Sequence, residues 1–246
     1  MNEEDNIVDF DAQAERIKNL KKKHDEAEKK KEPKEPLFNL HPAVKLLAIL
    51  ILAPYFVLEI WSNFNFDIKG IAYMNFGFVP AQWDGNLPFT IYTPISLITY
   101  NFLHGGLLHI GMNTIMLLAF GAGTAKFLGG KRMFVIFFIS SLAGVFAHYL
   151  FYIGSPEPVI GASAGLSGLF GALIVMMQRT GMMPSGPRGI WPFVFLWVFV
   201  SILFGMMGTP DGHGTVAWIA HLGGFFAGIG LMQINWFIRP LLDRLG

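Results

Sequence analysis

From residue 42 onward the chain consists mainly of apolar stretches long enough to cross about 30 Å of hydrocarbon. Uninterrupted stretches of about 20 such residues fold there as helices, since no water is present and each segment must satisfy its own backbone N–H and C=O groups. Six are expected, near 43–60, 105–125, 132–153, 161–179, 190–207 and 214–237. The composition agrees, with 53% hydrophobic and only 14% charged residues in 246, too apolar for a water-soluble domain of this size. Between the first two stretches lies a long aromatic segment, 61–104, carrying Trp61, Phe64, Phe66, Trp83 and Phe89 and interrupted by Pro80, Pro88 and Pro94. Aromatic side chains with polar edges favour the membrane interface, so this segment is expected to lie there rather than to span. The fold class expected is an all-α membrane protein, a six-transmembrane-helix bundle with a long interfacial loop between helices 1 and 2.

Charge divides the chain in two. Residues 1–41 hold most of the acids and half of the bases, and are expected as a charged, solvated cytoplasmic tail, while 42–246 form the six-helix domain. The first residues lack the basic start, apolar core and small-residue cleavage site of a secretory signal, so the N-terminus is expected to be retained. Cytoplasmic loops collect Lys and Arg. Six spans with both termini inside place every base but Lys69 on the cytoplasmic side. The chain has no cysteine, which excludes disulfides, thiol catalysis and cysteine metal sites.

Ionisable side chains within spans are costly and mark functional sites. His109 and Asn113 fall in the second span, His148 in the third and His221 in the sixth; Ser163 stands at the start of the fourth, inside "GASAG". Counted from the outer ends, Ser163, His109 and His221 fall in one outer-leaflet layer, His221 about 10 Å deep at 1.5 Å per residue. His109 and Asn113 are four apart and share a helix face. Gly161, Gly165, Gly168 and Ala172 form a small-residue stripe on the fourth span, and Ala217, His221, Gly224 and Gly228 another on the sixth. Such stripes let backbones approach closely, so the two are expected to pack and bring Ser163 to His221. His148 belongs to no motif and is expected to be structural, and His213 to be a loop residue.

A serine hydroxyl becomes a nucleophile when a neutral imidazole accepts its proton, and the tetrahedral intermediate needs donors at its oxyanion. His221 supplies the base. The side chains of His109 and Asn113 and the backbone N–H of Ser163 supply donors. With no carboxylate within the spans to orient His221, a dyad is expected rather than a triad. Other chemistries fit worse. "HGGLLH" places His104 and His109 five apart with no glutamate between, unlike a zinc protease, and Glu59 is the only acid near a span, where an aspartyl protease needs two. A soluble hydrolase elbow shares G-x-S-x-G but needs strands. A proton-conducting transporter would need a polar line across the whole bilayer, whereas these groups cluster in its outer half.

Three motifs together resemble the rhomboid family of intramembrane serine proteases: "LITYNFLHGGLLHIGMN", "GASAGLSGLFGA" and "AHLGGFFAG", within about residues 92–230. The resemblance implies a rhomboid-like bundle with Ser163 as nucleophile, His221 as general base and His109, Asn113 and the Ser163 N–H as oxyanion donors. It further implies a structural role for His104 in loop one, and an outward-opening cavity. Gly161, Gly165 and Gly224 are expected as structural residues near the site. Substrates would be transmembrane segments of single-pass proteins cut near the outer face, and the partners are these proteins and membrane lipids, with no nucleic acid, no metal and no cofactor. A prokaryotic plasma membrane is the expected location. A rhomboid-like protein that binds and delivers membrane helices without cutting them is the alternative. Three positions depart from the family's pattern: Ala164 where many members have glycine, Ser167 where many have an aromatic, and Ile95–Ser96 where a tryptophan–arginine pair is expected.

Overall fold

The computed structural model describes residues 15, 18–23, 40–64, 67–184, 188–207, 217–237 and 239. The chain separates into two units, 1–39 and 40–246; in the first, the described residues 18–23 are helical and exposed. The second unit begins where His41 caps a helix, its Nδ1 accepting the Ala43 N–H at 3.1 Å. Pro42 occupies the first turn, where its missing N–H costs nothing. Helix α1, Pro42–Ser62, follows. A short helix α2, Ile68–Phe76, and another, α3, Tyr92–Thr99, lie in the loop-one segment. Then come α4, Leu107–Leu128, and α5, Gly130–Phe151. Helices α6, Ser163–Arg179, α7, Trp191–Met207, and α8, Trp218–Leu231, complete the bundle.

The expected spans therefore correspond to α1 and α4 to α8. Only α1, α4 and α5 among the described helices are by themselves both long and apolar enough to cross a membrane. α6 differs because of where it sits. It packs against α5 on one side and α8 on another, nearly all its residues from Ala164 to Met176 are buried, and a helix that meets protein rather than lipid carries small residues in place of large apolar ones. α8, Trp218–Leu231, is shorter at both ends than the 214–237 expected, with a C-cap at Met232. Residues 208–216, with His213, lie outside the described set.

α4 is not a uniform helix. Its backbone widens to a π-turn at Leu117–Gly121, within which Phe120 stacks on Phe170 of α6, ring centroids 4.6 Å apart. Lys69, the single base expected on the outer side, is paired with Glu59 at the end of α1, Nζ to Oε2 2.8 Å. The exception to the charge rule is thus neutralised locally.

The small-residue seams differ from the sequence expectation. Gly224 and Gly228 of α8 do face α6: a Cβ at Gly224 would strike the Ala164 carbonyl, and one at Gly228 the Gly168 carbonyl. On α6, however, it is Gly171 and the backbone of Ala164 and Gly168 that meet α8; a Cβ at Gly168 would strike Ser140 of α5, Gly165 faces Phe137 and Ser141 of α5, and Gly161 lies against the His109 ring. Small-residue spacing says that a face is approached closely; it does not say by which neighbour, and α6 is approached on several sides.

Candidate active site

The segment leading into α6 is held on loop one before the helix begins. Phe78 and Val159 form an isolated antiparallel bridge, with Phe78 N–H to Val159 O at 3.0 Å and the reverse bond at 2.8 Å. Two residues on, the Gly161 N–H donates to the Tyr100 carbonyl at 2.8 Å. Gly161 then takes φ +115°, a conformation open to glycine and strained for other residues. It is the turn that delivers Ser163 to the first position of α6, where its N–H has no acceptor within the helix.

Ser163 and His221 meet across the α6–α8 seam, Oγ to Nε2 at 2.8 Å. This is hydrogen-bond distance for transfer of the hydroxyl proton to an unprotonated Nε2. The close approach of Gly224 to the Ala164 backbone, one turn below, sets that distance. His109 stands against Gly161, in the turn that precedes Ser163. Its Nδ1 accepts the Gly105 N–H at 3.4 Å, which leaves the ring proton on Nε2. Nε2 is also the atom closest to Gly161, where an added Cβ would lie only 2.6 Å away. A donor is thereby directed at the turn preceding Ser163. One turn further along α4, Asn113 is buried; its Nδ2 donates to the His109 carbonyl at 2.9 Å, and its Oδ1 has no hydrogen-bond partner. The second proton of that amide is the one with which it could meet an oxyanion.

Around this group the structure places the remaining candidates. His104 is buried, and its ring stands edge-on to His109 with centroids 5.0 Å apart. Burial, with a smaller effect of His109, holds the His104 imidazole well below the ordinary histidine range, at about 3, so it is neutral at physiological pH. The residue ties loop one through its backbone carbonyl, which accepts the Tyr73 hydroxyl at 2.9 Å. His148 is buried on α5, stacked on Tyr152 with centroids 4.6 Å apart. Its Nδ1 has no hydrogen-bond partner.

The three departures each have a local explanation. Ala164 directs its methyl at Gly144 of α5, where a second Cβ would lie 2.7 Å away, so α5 supplies the space that a glycine at 164 would leave. Ser167 is buried and back-bonds to the Ser163 carbonyl, Oγ to O 2.7 Å, which satisfies its hydroxyl within the helix. In place of a tryptophan–arginine pair, loop one is stitched by buried polar side chains. Gln82 Nε2 donates to the Met74 carbonyl at 3.2 Å, Thr93 Oγ1 to Gln82 Oε1 at 3.4 Å, and Ser96 Oγ to the Thr93 carbonyl at 2.6 Å. Thr99 Oγ1 adds a bond to the Phe76 carbonyl at 2.7 Å. Sequence reading passed over Gln82, Thr93 and Tyr73, whose signal was only that of polar groups scattered through an aromatic interfacial stretch. No group of three or more metal-ligating side chains occurs among the described residues.

The arrangement can accept the Ser163 hydroxyl proton at His221 and present N–H donors near the turn that precedes Ser163, which is what acyl transfer requires. Comparison with known proteins identifies a family. Residues 92–236 match the family model of the Rhomboid domain. The chain is 28% identical over 152 residues to Rhomboid protease GluP of Bacillus subtilis, covering 61% of this chain and 29% of that one. It is 28% identical over 161 residues to mitochondrial Rhomboid protein 1 of Saccharomyces cerevisiae, covering 61% and 43%. To Rhomboid protease GlpG of Photorhabdus laumondii it is 32% identical over 145 residues, covering 56% and 46%. The chain thus spans less than half the length of each of these curated relatives.

Proposed function

The chain belongs to the rhomboid family, and from that premise we propose that it is an intramembrane serine endopeptidase that cleaves transmembrane segments of single-pass membrane proteins near the outer face. The observation that carries the reading is the 2.8 Å contact between Ser163 Oγ and His221 Nε2, made by two helices of an integral membrane protein.

In this reading His221 Nε2 takes the Ser163 proton as Oγ attacks the scissile carbonyl carbon. The C–O bond forms, the carbonyl π electrons move onto oxygen, and the oxyanion is met by His109 Nε2–H, the Asn113 amide and the Ser163 N–H. Collapse breaks the C–N bond, and the proton on His221 passes to the leaving amine. Water then attacks the acyl ester as His221 accepts its proton; the C–Oγ bond breaks, His221 returns that proton to Ser163 Oγ, and the product leaves as the carboxylic acid, which ionises in water. Gly161, Gly165 and Gly224 are structural: Gly161 makes the turn, Gly165 lets α5 approach, and Gly224 lets α8 approach. His104 holds loop one.

Both termini are cytoplasmic in this proposal, as the distribution of Lys and Arg requires. Residues 1–41 form a charged tail, residues 42–246 the protease domain, and a prokaryotic plasma membrane the setting. The test is covalent labelling of the full chain in detergent with a fluorophosphonate, followed by peptide mapping. The wild type is expected to carry the label on Ser163, and Ser163→Ala none; equal labelling of the two would overturn the site.

A further inference from the structure

The turn that carries Ser163 is gripped at both ends by one buried group that plays no part in the mechanism above. Tyr100, Asn101 and Ser141 are all essentially inaccessible. Ser141 lies on α5, while Tyr100 and Asn101 follow each other in the last stretch of loop one before α4. The Tyr100 hydroxyl donates to the Ser141 carbonyl at 2.9 Å. The Ser141 hydroxyl has Asn101 Oδ1 at 2.7 Å and the Phe137 carbonyl at 2.8 Å as acceptors for its one proton. Asn101 is fixed in turn, its Nδ2 donating to the Ile98 carbonyl at 3.0 Å.

Both ends of segment 161–165 touch this unit. At one end the Tyr100 carbonyl receives the Gly161 N–H at 2.8 Å. At the other, Ser141 Oγ lies where a Cβ on Gly165 would come within 2.5 Å of it. Ser163 is the middle residue. The same Gly161 abuts His109, so a shift of the turn alters the approach of Ser163 to the oxyanion donors as well as to His221.

We propose that Tyr100, Asn101 and Ser141 are positioning residues, a buried clasp between loop one and α5 that sets the placement of the Ser163 turn. The inference rests on Ser163 being the nucleophile. A hydroxyl-to-amide bond is a costly way to fill a buried space that an apolar pair fills as well, and the clasp would repay that cost in geometry. A displacement of about 1 Å at a reacting group costs up to a hundred-fold in rate.

Ser141→Ala leaves the Asn101 Oδ1 buried without its donor, so it lowers both Tm and rate. Asn101→Leu combined with Ser141→Ala removes the orphaned group, and a purely structural contact would then recover in both respects. The second-order rate of fluorophosphonate labelling is measured on the full chain, at a temperature where every variant is folded, beside kcat and KM on a model transmembrane substrate. The expected result is labelling and kcat about ten-fold below wild type in both variants, with KM unchanged within about two-fold, even where the double variant regains the wild-type Tm. Wild-type labelling of Ser141→Ala, or a double variant whose labelling returns to the wild-type rate, would overturn the clasp alone. A wild type that takes no label on Ser163 would overturn the proposed function, and the clasp with it.

Discussion

Ser163→Ala and His221→Ala are each expected to lower kcat by about ten-thousand-fold, and the double variant is expected to lose no more than either single one. The reason is the single hydrogen bond they share at 2.8 Å. Without His221 the hydroxyl keeps its proton and attacks poorly; without Ser163 the imidazole has nothing to activate. Either loss removes the whole step, so the effects cannot add. Kinetics on a model substrate in detergent would check this, with intact folding shown by unchanged thermal unfolding. Independent, multiplying losses would mean that the two side chains act in separate steps.

Gly228→Ala is expected to have the largest effect on stability, about 3 kcal/mol or more, or to prevent folding altogether. An added methyl at Gly228 would run into the carbonyl and Cα of Gly168, which are backbone and cannot swing aside. The α6–α8 seam would have to open, and a folded domain is stable by only about 5–15 kcal/mol. Gly230→Ala two residues along is the control. A Cβ there meets nothing within 4 Å, and alanine should stabilise the helix by up to about 1 kcal/mol. Unfolding in mixed micelles measures both. Equal behaviour of the two variants would mean that the α6–α8 approach is looser than the structure shows.

The contrast between those two glycines explains what the sequence could and could not reveal. Span number follows from hydrophobic length, a property of one segment at a time. Partner choice is a property of two segments. The stripes on the fourth and sixth spans announced a close contact, and Gly224 and Gly228 make one, yet Gly165 serves α5 and Gly161 serves His109. The π-turn in α4 has no residue signature of its own. The stitching of loop one by Gln82, Thr93 and Ser96 was hidden for a related reason: each is an ordinary polar residue until burial leaves it only protein to bond with. Tyr100 and Asn101 fall inside the first motif, yet nothing there marks Ser141, 40 positions on, as their partner. The residues that position the site thus lie both within the motifs and between them.

The central claim is that Ser163 and His221 form an outward-facing proteolytic pair within the membrane. Its most direct test is to reconstitute the full chain and Ser163→Ala in liposomes with a single-pass substrate, and to map the cleaved bond by mass spectrometry. One cut near the outer end of the substrate's transmembrane segment is expected from the wild type and none from Ser163→Ala. Equal cleavage by both proteins, or a cut at the inner end, would contradict it.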